Sequence, residues 1–227
     1  LAGFSVTIPH KHRIMRYLDA IDPLTKRIGA VNTVYRKAGR WRGTNTDADG
    51  ILVPLKKRIK LAKANVLIAG NGGTARSAAF TLKDAGARLA ITGRNIDRVR
   101  ALAKLVDAEA LTMEQAGSRF FDVLIHATPV GMWPHTEHCL FEDVIPASLV
   151  FDLVYTPQET LLLKRAAAAG CKVIPGIEMF LEQAAKQFEI FTGQTAPRAV
   201  MERAALEALR EQEEQLRLHA GKHGGGL

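Results

Sequence analysis

The run Val66-Leu67-Ile68-Ala69, followed at once by Gly70-Asn71-Gly72-Gly73-Thr74-Ala75, limits what this chain can fold into more than any other feature. Four apolar residues without alternation predict a strand buried on both faces, as in a parallel sheet covered by helices above and below. The next six read G-x-G-x-x-A, and a helical pattern over 75–85 follows, stopped by Gly86. In that context each small residue has a task. Gly70 permits the tight turn off the strand, Gly72 lets the backbone approach a pyrophosphate, and Ala75 lets the helix lie close on the strand. Free N–H groups and the positive end of the helix then face the phosphate oxygens. The segment predicts a dinucleotide site made of Gly70, Asn71, Gly72, Gly73, Thr74 and Ala75.

The strand–helix rhythm continues. Strands are expected over 88–92, 123–126, 149–153 and 172–174. Helices are expected over 96–105, begun by Asn95 or Asp97, and over 160–169, ended by Gly170. Repeated βαβ units predict an α/β fold with a Rossmann-type doubly wound parallel sheet. At the end of the second strand, an Asp or Glu would hold the ribose 2′-hydroxyl of NAD. The sequence has Thr92-Gly93-Arg94-Asn95 there, with Arg98 one helical turn further. Arginine offers planar, charge-assisted donors to a 2′-phosphate, so Arg94 and Arg98 predict NADP.

Ahead of this lobe, residues 4–7 read as a strand ended by Pro9, and 11–19 as a helix. Asn32-Thr33-Val34-Tyr35 and Arg40-Trp41-Arg42-Gly43 flank Ala38-Gly39 as a hairpin. Thr46 and Asp47 are N-cap residues for a long helix striped by Ile51, Leu52, Leu55 and Ile59, with Pro54 in its early turns. Behind the lobe, 178–191 and 197–218 read as helices. The expected division is 1–47 for the remainder of a truncated α/β substrate lobe and 48–176 for the NADP lobe. Residues 177–218 are C-terminal helices returning to the first lobe, and 219–227 are a disordered tail. The chain opens on Leu1 as if in mid-strand, without an initiator Met, so an upstream portion is expected to be missing.

At 227 residues, 47% apolar and 24% charged, the chain has ordinary globular composition and can bury a core without disulfides or metal. Cys139 and Cys171 lack C-x-x-C spacing and read as core thiols in a reducing, cytoplasmic compartment. No apolar run nears the ~20 residues of a membrane helix. The net charge of +8 raises the question of nucleic acid. Its Lys and Arg residues are dispersed, however, and no stretch interleaves them with aromatics. A basic cleft for a phosphorylated cofactor or an acidic substrate accounts for the charge instead. His135 and His138, near Glu137 and Cys139, invite a metal reading, but no ordered pair of ligand motifs follows and no metal is expected.

Gly3-Phe4-Ser5-Val6-Thr7-Ile8-Pro9-His10-Lys11 resembles the strand-then-PHK signature of shikimate dehydrogenases. Further blocks follow in that family's order. They are Ile28-Gly29-Ala30-Val31-Asn32-Thr33, Gly43-Thr44-Asn45-Thr46-Asp47, the Asn71-Gly72-Gly73 loop and Ala127-Thr128-Pro129-Val130-Gly131-Met132. Asp152-Leu153-Val154-Tyr155 with Pro157, and Gly176-Ile177-Glu178-Met179 with Gln183-Ala184-Ala185, complete the set. The resemblance implies NADPH-dependent reduction of a small molecule, 3-dehydroshikimate, to shikimate. It implies Lys11 and Asp47 as the proton-transfer pair and Asn32, Tyr155 and Gln183 as substrate-binding residues. Thr128, Gly131, Gly176 and Met179 would line the nicotinamide side. The chemistry is sound on its own terms: hydride delivery to a ketone builds alkoxide charge, and an ammonium held by a carboxylate can supply the proton.

The sequence also departs from the family. His126 and Pro129 stand where Asn and Ser are commoner, and Gly93 and Asn95 replace the Asn and Thr that usually flank the cofactor Arg. The Ser-x-Ser block that binds the substrate carboxylate lies upstream in the family and is absent here. Phe4-Ser5-Val6-Thr7-Ile8 and residues 188–193 resemble the form fused to a dehydroquinate dehydratase. The rival readings are a quinate or quinate/shikimate dehydrogenase using the same Lys–Asp pair, and a dinucleotide sensor that has lost turnover.

Overall fold

Short, half-polar runs before residue 45 and unbroken apolar runs after residue 65 build two different β-sheets. The structure, a computed structural model, describes residues 1–7, 9–142 and 144–223, with side chains as far as Leu216. Ile8 of the Gly3–Lys11 segment and residues 224–227 of the expected tail lie outside the described residues.

The first sheet contains β1 (Gly3–Ser5), β2 (Ala20–Ile21), β3 (Thr33–Lys37) and β4 (Arg40–Thr44), in the order β1-β3-β4-β2. β3 and β4 form the expected hairpin. Ala38 and Gly39, with φ of 51° and 77°, give the left-handed pair that a two-residue turn needs. The helix expected over 11–19 is instead a 3-10 turn, Arg13–Tyr17. The chain must reach the edge of β4 by Asp19, whose N–H donates to the Trp41 carbonyl and whose carboxylate accepts from the Trp41 N–H. A 3-10 turn covers more length per residue than an α-helix. A short helix, α1 (Pro23–Ile28), follows without having been read from the sequence. Asp22 caps it by accepting from the Thr25 N–H, and Gly29 closes it with φ of 73°.

The connecting helix α2 (Asp47–Lys56) is shorter than expected and stops before Ile59. Thr46 occupies the N-cap position, but its hydroxyl turns to Asn32 instead of the helix backbone. The second sheet holds β5 (Asn65–Ala69), β6 (Arg88–Thr92), β7 (Glu109–Ala110), β8 (Phe121–His126), β9 (Ala147–Asp152) and β10 (Lys172–Ile174). It is parallel throughout, in the order β10-β9-β8-β5-β6-β7. This is the doubly wound arrangement, with the strand order reversing between β5 and β8. On one face, Val66, Ile68, Ile91, Val123 and Ile125 pack under α3 (Gly73–Asp84) and α4 (Ile96–Leu105). On the other, Leu67, Ala90, Leu124 and Val150 pack under α5 (Met113–Gly117) and α6 (Leu161–Ala168). β7 and α5 were not read from the sequence. The second had a legible signal, the capping box between Thr112 and Gln115.

Register lines up the strand ends. Ala69 pairs with both Thr92 and His126, and His126 pairs with Asp152, so four strands finish at one level. From β10 the chain enters α7 (Gly176–Thr192), which packs along α2 and reaches the first sheet. α8 (Arg198–His223) follows and stays helical beyond Leu218, so the expected tail begins as helix. No helix among the described residues is long and apolar enough to cross a membrane.

Glu182 fastens these helices. It accepts from Lys57 at 3.0 Å, just after α2, and from Arg198 of α8. Burial raises the Glu182 pKa, but the two cations outweigh burial and hold it below its ordinary value. A folded-state pKa below the unfolded one gives stability that is present above the unfolded value and lost as pH falls through the folded one. Both cations are more than half exposed, so the contribution is ~1 kcal/mol. Glu182→Gln should therefore lower the Tm at neutral pH. The difference from the parent should close on acidification through the carboxylate range, as followed by thermal melts at stepped pH.

Candidate active site

The residues singled out in the N-terminal part converge on one buried carboxylate. Asp47 opens α2 and is 4% exposed. Its Oδ2 accepts from Lys11 Nζ at 2.7 Å, and its Oδ1 accepts from Asn32 Nδ2 at 2.7 Å. Asn45 Oδ1 accepts from the Asp47 N–H, which fixes the helix start. The Lys11 carbonyl accepts from the Val31 N–H, so the lysine backbone is anchored next to Asn32 at the entry to β3. The Lys11 side chain remains 16% exposed, so a charged donor sits at the edge of water while its partner lies below.

Asn32 is the organiser of this cluster. Its Oδ1 accepts from the Thr46 N–H at 2.8 Å and from the Thr33 hydroxyl at 2.7 Å. Gln183 of α7 brings Oε1 to 3.5 Å from both Asn32 Nδ2 and Thr46 Oγ1, a long approach that leaves much of its hydrogen-bonding capacity free. Gln187, one turn further along α7, was missed by sequence reasoning. It donates to Thr33 Oγ1 at 2.9 Å and accepts from the Ser5 hydroxyl at 2.8 Å. Two glutamines four apart on a helix that returns to the first sheet were the available signal.

Among the described residues, Tyr155 shares no hydrogen bond with this cluster. It is exposed and rests on Phe180 of α7, with ring centroids 5.4 Å apart. Met179 is buried in the main core, against Gly50 of α2. Gly176 begins α7 where a Cβ would lie 2.3 Å from the Val154 carbonyl oxygen, so the helix start is pressed onto the loop after β9.

The glycine loop has the form its sequence predicts. Gly70 has φ of 130°, and a Cβ there would lie 2.6 Å from the Ala127 carbonyl oxygen. Ala75, in the first turn of α3, is fully buried. Gly72 and Gly73 differ, since a Cβ on either would meet nothing within 4 Å. Gly72 caps α3 without any side-chain bond to the helix N–H groups. An open cradle with uncapped donors fits a dinucleotide pyrophosphate. Arg94 and Arg98 lie beyond it, after β6 and in the first turn of α4, both exposed and neither in an ion pair among the described residues. Thr128 and Gly131 belong to the loop after β8, where Gly131 takes φ of 78°. In the same loop the side chains of His135, Glu137 and His138 bring their donor atoms within 4.8 Å of one another, all exposed. A concavity of about 690 Å³ lined by Phe120, Ala147, Arg165 and Cys171 opens at the amino ends of β8, β9 and β10, away from the strand ends that carry these groups.

Residues 1–34 match the shikimate dehydrogenase substrate binding domain. Residues 54–138 match the shikimate / quinate 5-dehydrogenase family, and 176–206 match the shikimate 5′-dehydrogenase C-terminal domain. A curated shikimate dehydrogenase (NADP(+)) of Nitrosopumilus maritimus is 40% identical over 215 residues, covering 91% of this chain and 79% of that protein. The chain belongs to the shikimate dehydrogenase family. The shikimate 5-dehydrogenase of Thermus thermophilus, solved with NADP(H) and shikimate, superimposes with a TM-score of 0.83 at 37% identity, covering 92% of this chain and 80% of that one. The quinate dehydrogenase of Corynebacterium glutamicum, solved with NAD, does so at 0.82 and 30% identity, covering 91% and 78%.

The contrast between two glycines of this oxidoreductase gives a test. Gly176→Ala forces a Cβ into backbone and should cost ~1–3 kcal/mol of stability. Gly72→Ala has room in the protein itself and should leave the Tm unchanged, while its methyl occupies the cradle and weakens dinucleotide binding. Differential scanning calorimetry and cofactor titration of the two variants separate these effects.

Proposed function

We propose that this protein catalyses the NADPH-dependent, reversible reduction of 3-dehydroshikimate to shikimate, with Lys11 and Asp47 as the proton-transfer pair. The observation that carries the reading is the 2.7 Å Lys11–Asp47 contact in a chain of this family, held from below by Asn32. Residues 1–47 act as the substrate lobe, 48–176 as the cofactor lobe, and 177–218 as helices closing back on the first.

Gly70, Asn71, Gly72, Gly73, Thr74 and Ala75 would hold the pyrophosphate, and Arg94 and Arg98 the 2′-phosphate. Thr128, Gly131, Gly176 and Met179 would border the nicotinamide. Bound NADPH supplies the hydride. Lys11 donates a proton to the substrate oxygen as it gains negative charge, and Asp47 keeps the ammonium aimed. Gln183 keeps donor and acceptor capacity for ring hydroxyls, while Asn32, whose amide already bonds Thr33, Thr46 and Asp47, would bind a hydroxyl by exchanging its Nδ2 contacts to Thr46 and Gln183. Tyr155 contributes a hydroxyl from the strand-end side. The resemblance of the Phe4-to-Ile8 run to the dehydratase-fused form supports an upstream dehydroquinate dehydratase module, which the reading frame ahead of Leu1 tests. The reading also places the enzyme in the cytoplasm.

Catalysis is tested in the full-length protein by steady-state oxidation of shikimate. Lys11→Met keeps the aliphatic stem but removes the donor, and should cut kcat by ~10²–10⁴-fold with NADPH affinity nearly unchanged. Asp47→Asn should also impair turnover, and the double variant should be far less damaged than the sum, because the two act as a unit. A Lys11→Met enzyme with near-normal kcat would remove Lys11 from the proton transfer.

Cofactor choice is tested separately. Arg94→Ala should weaken NADPH by about 10- to 150-fold, the loss of a charge-assisted contact, and leave NADH nearly unchanged. Equal weakening of both would end the 2′-phosphate role. Parallel assays with quinate and NAD test the activity of the Corynebacterium glutamicum neighbour, against which Arg94 and Arg98 argue.

A further inference from the structure

The carboxyl ends of β8 and β9 carry a buried polar chain in a sheet whose other buried residues, Thr92 apart, are apolar. His126 is 1% exposed and Asp152 is fully buried. His126 Nδ1 lies 2.8 Å from Asp152 Oδ1, and Nε2 lies 2.6 Å from Thr128 Oγ1. Asp152 Oδ1 also accepts from the Val154 N–H at 3.0 Å, and Oδ2 accepts from the Thr160 hydroxyl at 2.6 Å. Thr160 Oγ1 in turn accepts from the Leu163 N–H as the cap of α6. Thr128 Oγ1 receives a longer bond, 3.3 Å, from the Val130 N–H.

With the His126 ring as the neutral tautomer protonated on Nδ1, each hydrogen bond has one direction. An ionised carboxylate only accepts, so the proton between Asp152 and His126 belongs to Nδ1. Nε2 of the neutral ring then accepts, and the Thr128 hydroxyl must donate to it. One Thr128 lone pair receives Val130, and the other accepts from no group among the described residues.

We infer that His126, held by Asp152, is a positioning residue that locks the Thr128 hydroxyl as a hydrogen-bond acceptor toward the nicotinamide half of the bound cofactor. The inference deepens the proposed function and rests on its assignment of Thr128 to the cofactor. The strand ends make the lock stiff: the His126 carbonyl accepts from the Leu153 N–H, and the Ala127 N–H donates to the Ala69 carbonyl, which ties the loop root to β5 beside the glycine turn. A hydroxyl free to rotate would present donor or acceptor with equal ease; this one is committed before the ligand arrives, which lowers the ordering cost of binding.

The experiment compares two ligands, NADPH and adenosine 2′,5′-bisphosphate, which has the 2′-phosphate but no nicotinamide. Both are titrated into the full-length protein and into Thr128→Val, His126→Asn and the double variant. Thr128→Val keeps the side-chain shape and removes the hydroxyl. His126→Asn keeps a donor for Asp152 but is too short to reach Thr128 as well. Each single variant should weaken NADPH about 3- to 10-fold, the loss of one neutral hydrogen bond, with adenosine 2′,5′-bisphosphate unchanged. The KM for NADPH should rise more than kcat falls, and the double variant should be no worse than the poorer single one. Equal weakening of both ligands, no weakening of either, or additive losses would overturn the inference. A thermal melt accompanies each variant; should His126→Asn fail to fold, Thr128→Val alone still decides whether the hydroxyl serves the nicotinamide half. Failure of the parent to bind NADPH at all would instead strike the proposed function itself.

Discussion

A carboxylate removed from water must be given its full set of donors, and Asp47 is such a group. Lys11 supplies a charge and Asn32 a neutral donor to its two oxygens, and both bonds are 2.7 Å. Leaving either oxygen bare in that position would cost several kcal/mol, so the fold is compelled to bring three distant segments together. Lys11 comes from the turn after β1, Asn32 from the entry to β3, and Asp47 from the start of α2. The helix adds its own term, because an acidic residue in the first turn meets the positive end of the dipole. The pair most suited to proton transfer is thus also the pair that closes the first sheet onto the connecting helix.

The second constraint is steric. α7 can reach back to the first sheet only by crossing α2 closely. A Cβ on Gly50 would lie 2.7 Å from the Met179 carbonyl oxygen. Gly176 does the same work at the root of α7, against Val154. Two absent side chains therefore set the line of the helix that brings Gln183 and Gln187 to Asn32 and Thr33. The same crossing explains why Met179 is a core residue. It fills the space between the helices, and any contact it makes with a cofactor is made from the edge of that packing.

The second sheet was legible because its strands are buried on both faces and so appear as unbroken apolar runs with glycine or polar stops. α4 was read to the residue, with Asn95 as the cap of the two residues considered. The elements that were missed or given the wrong type are short: β2, α1, β7, α5 and the 3-10 turn each have six residues or fewer. Segments of that length carry little periodicity, and distant partners decide their form, as Trp41 does for Asp19. In the site, Lys11, Asn32 and Asp47 were named through a resemblance, and the geometry then joined them. Gln187 was missed because a glutamine on an amphipathic helix reads as a solvated residue until the fold supplies its neighbours. His126 and Asp152 were noted as a departure and as part of a motif, yet nothing local says that one faces the other across two strands.

The register of the parallel sheet supplies that missing fact, and it also accounts for where polarity is allowed. Ala69, Thr92, His126 and Asp152 end their strands at one level, at the point where the strand order reverses. Below that line the buried strand residues are apolar, and above it the start of α3 presents N–H groups without a side-chain cap. A polar group on the line itself is tolerable only if wholly satisfied. Asp152 meets this condition with bonds from His126, Val154 and Thr160. Positive charge is sorted along the same axis: Lys11 is paired with the buried Asp47, while Arg94 and Arg98 stand exposed beyond the end of β6. The excess of +8 is therefore not diffuse in its effect. The Lys11–Asp47 pair cancels within that sum, whereas Arg94 and Arg98 add to it and stand free beside a loop of uncapped donors, where an anionic ligand lowers the repulsion they meet.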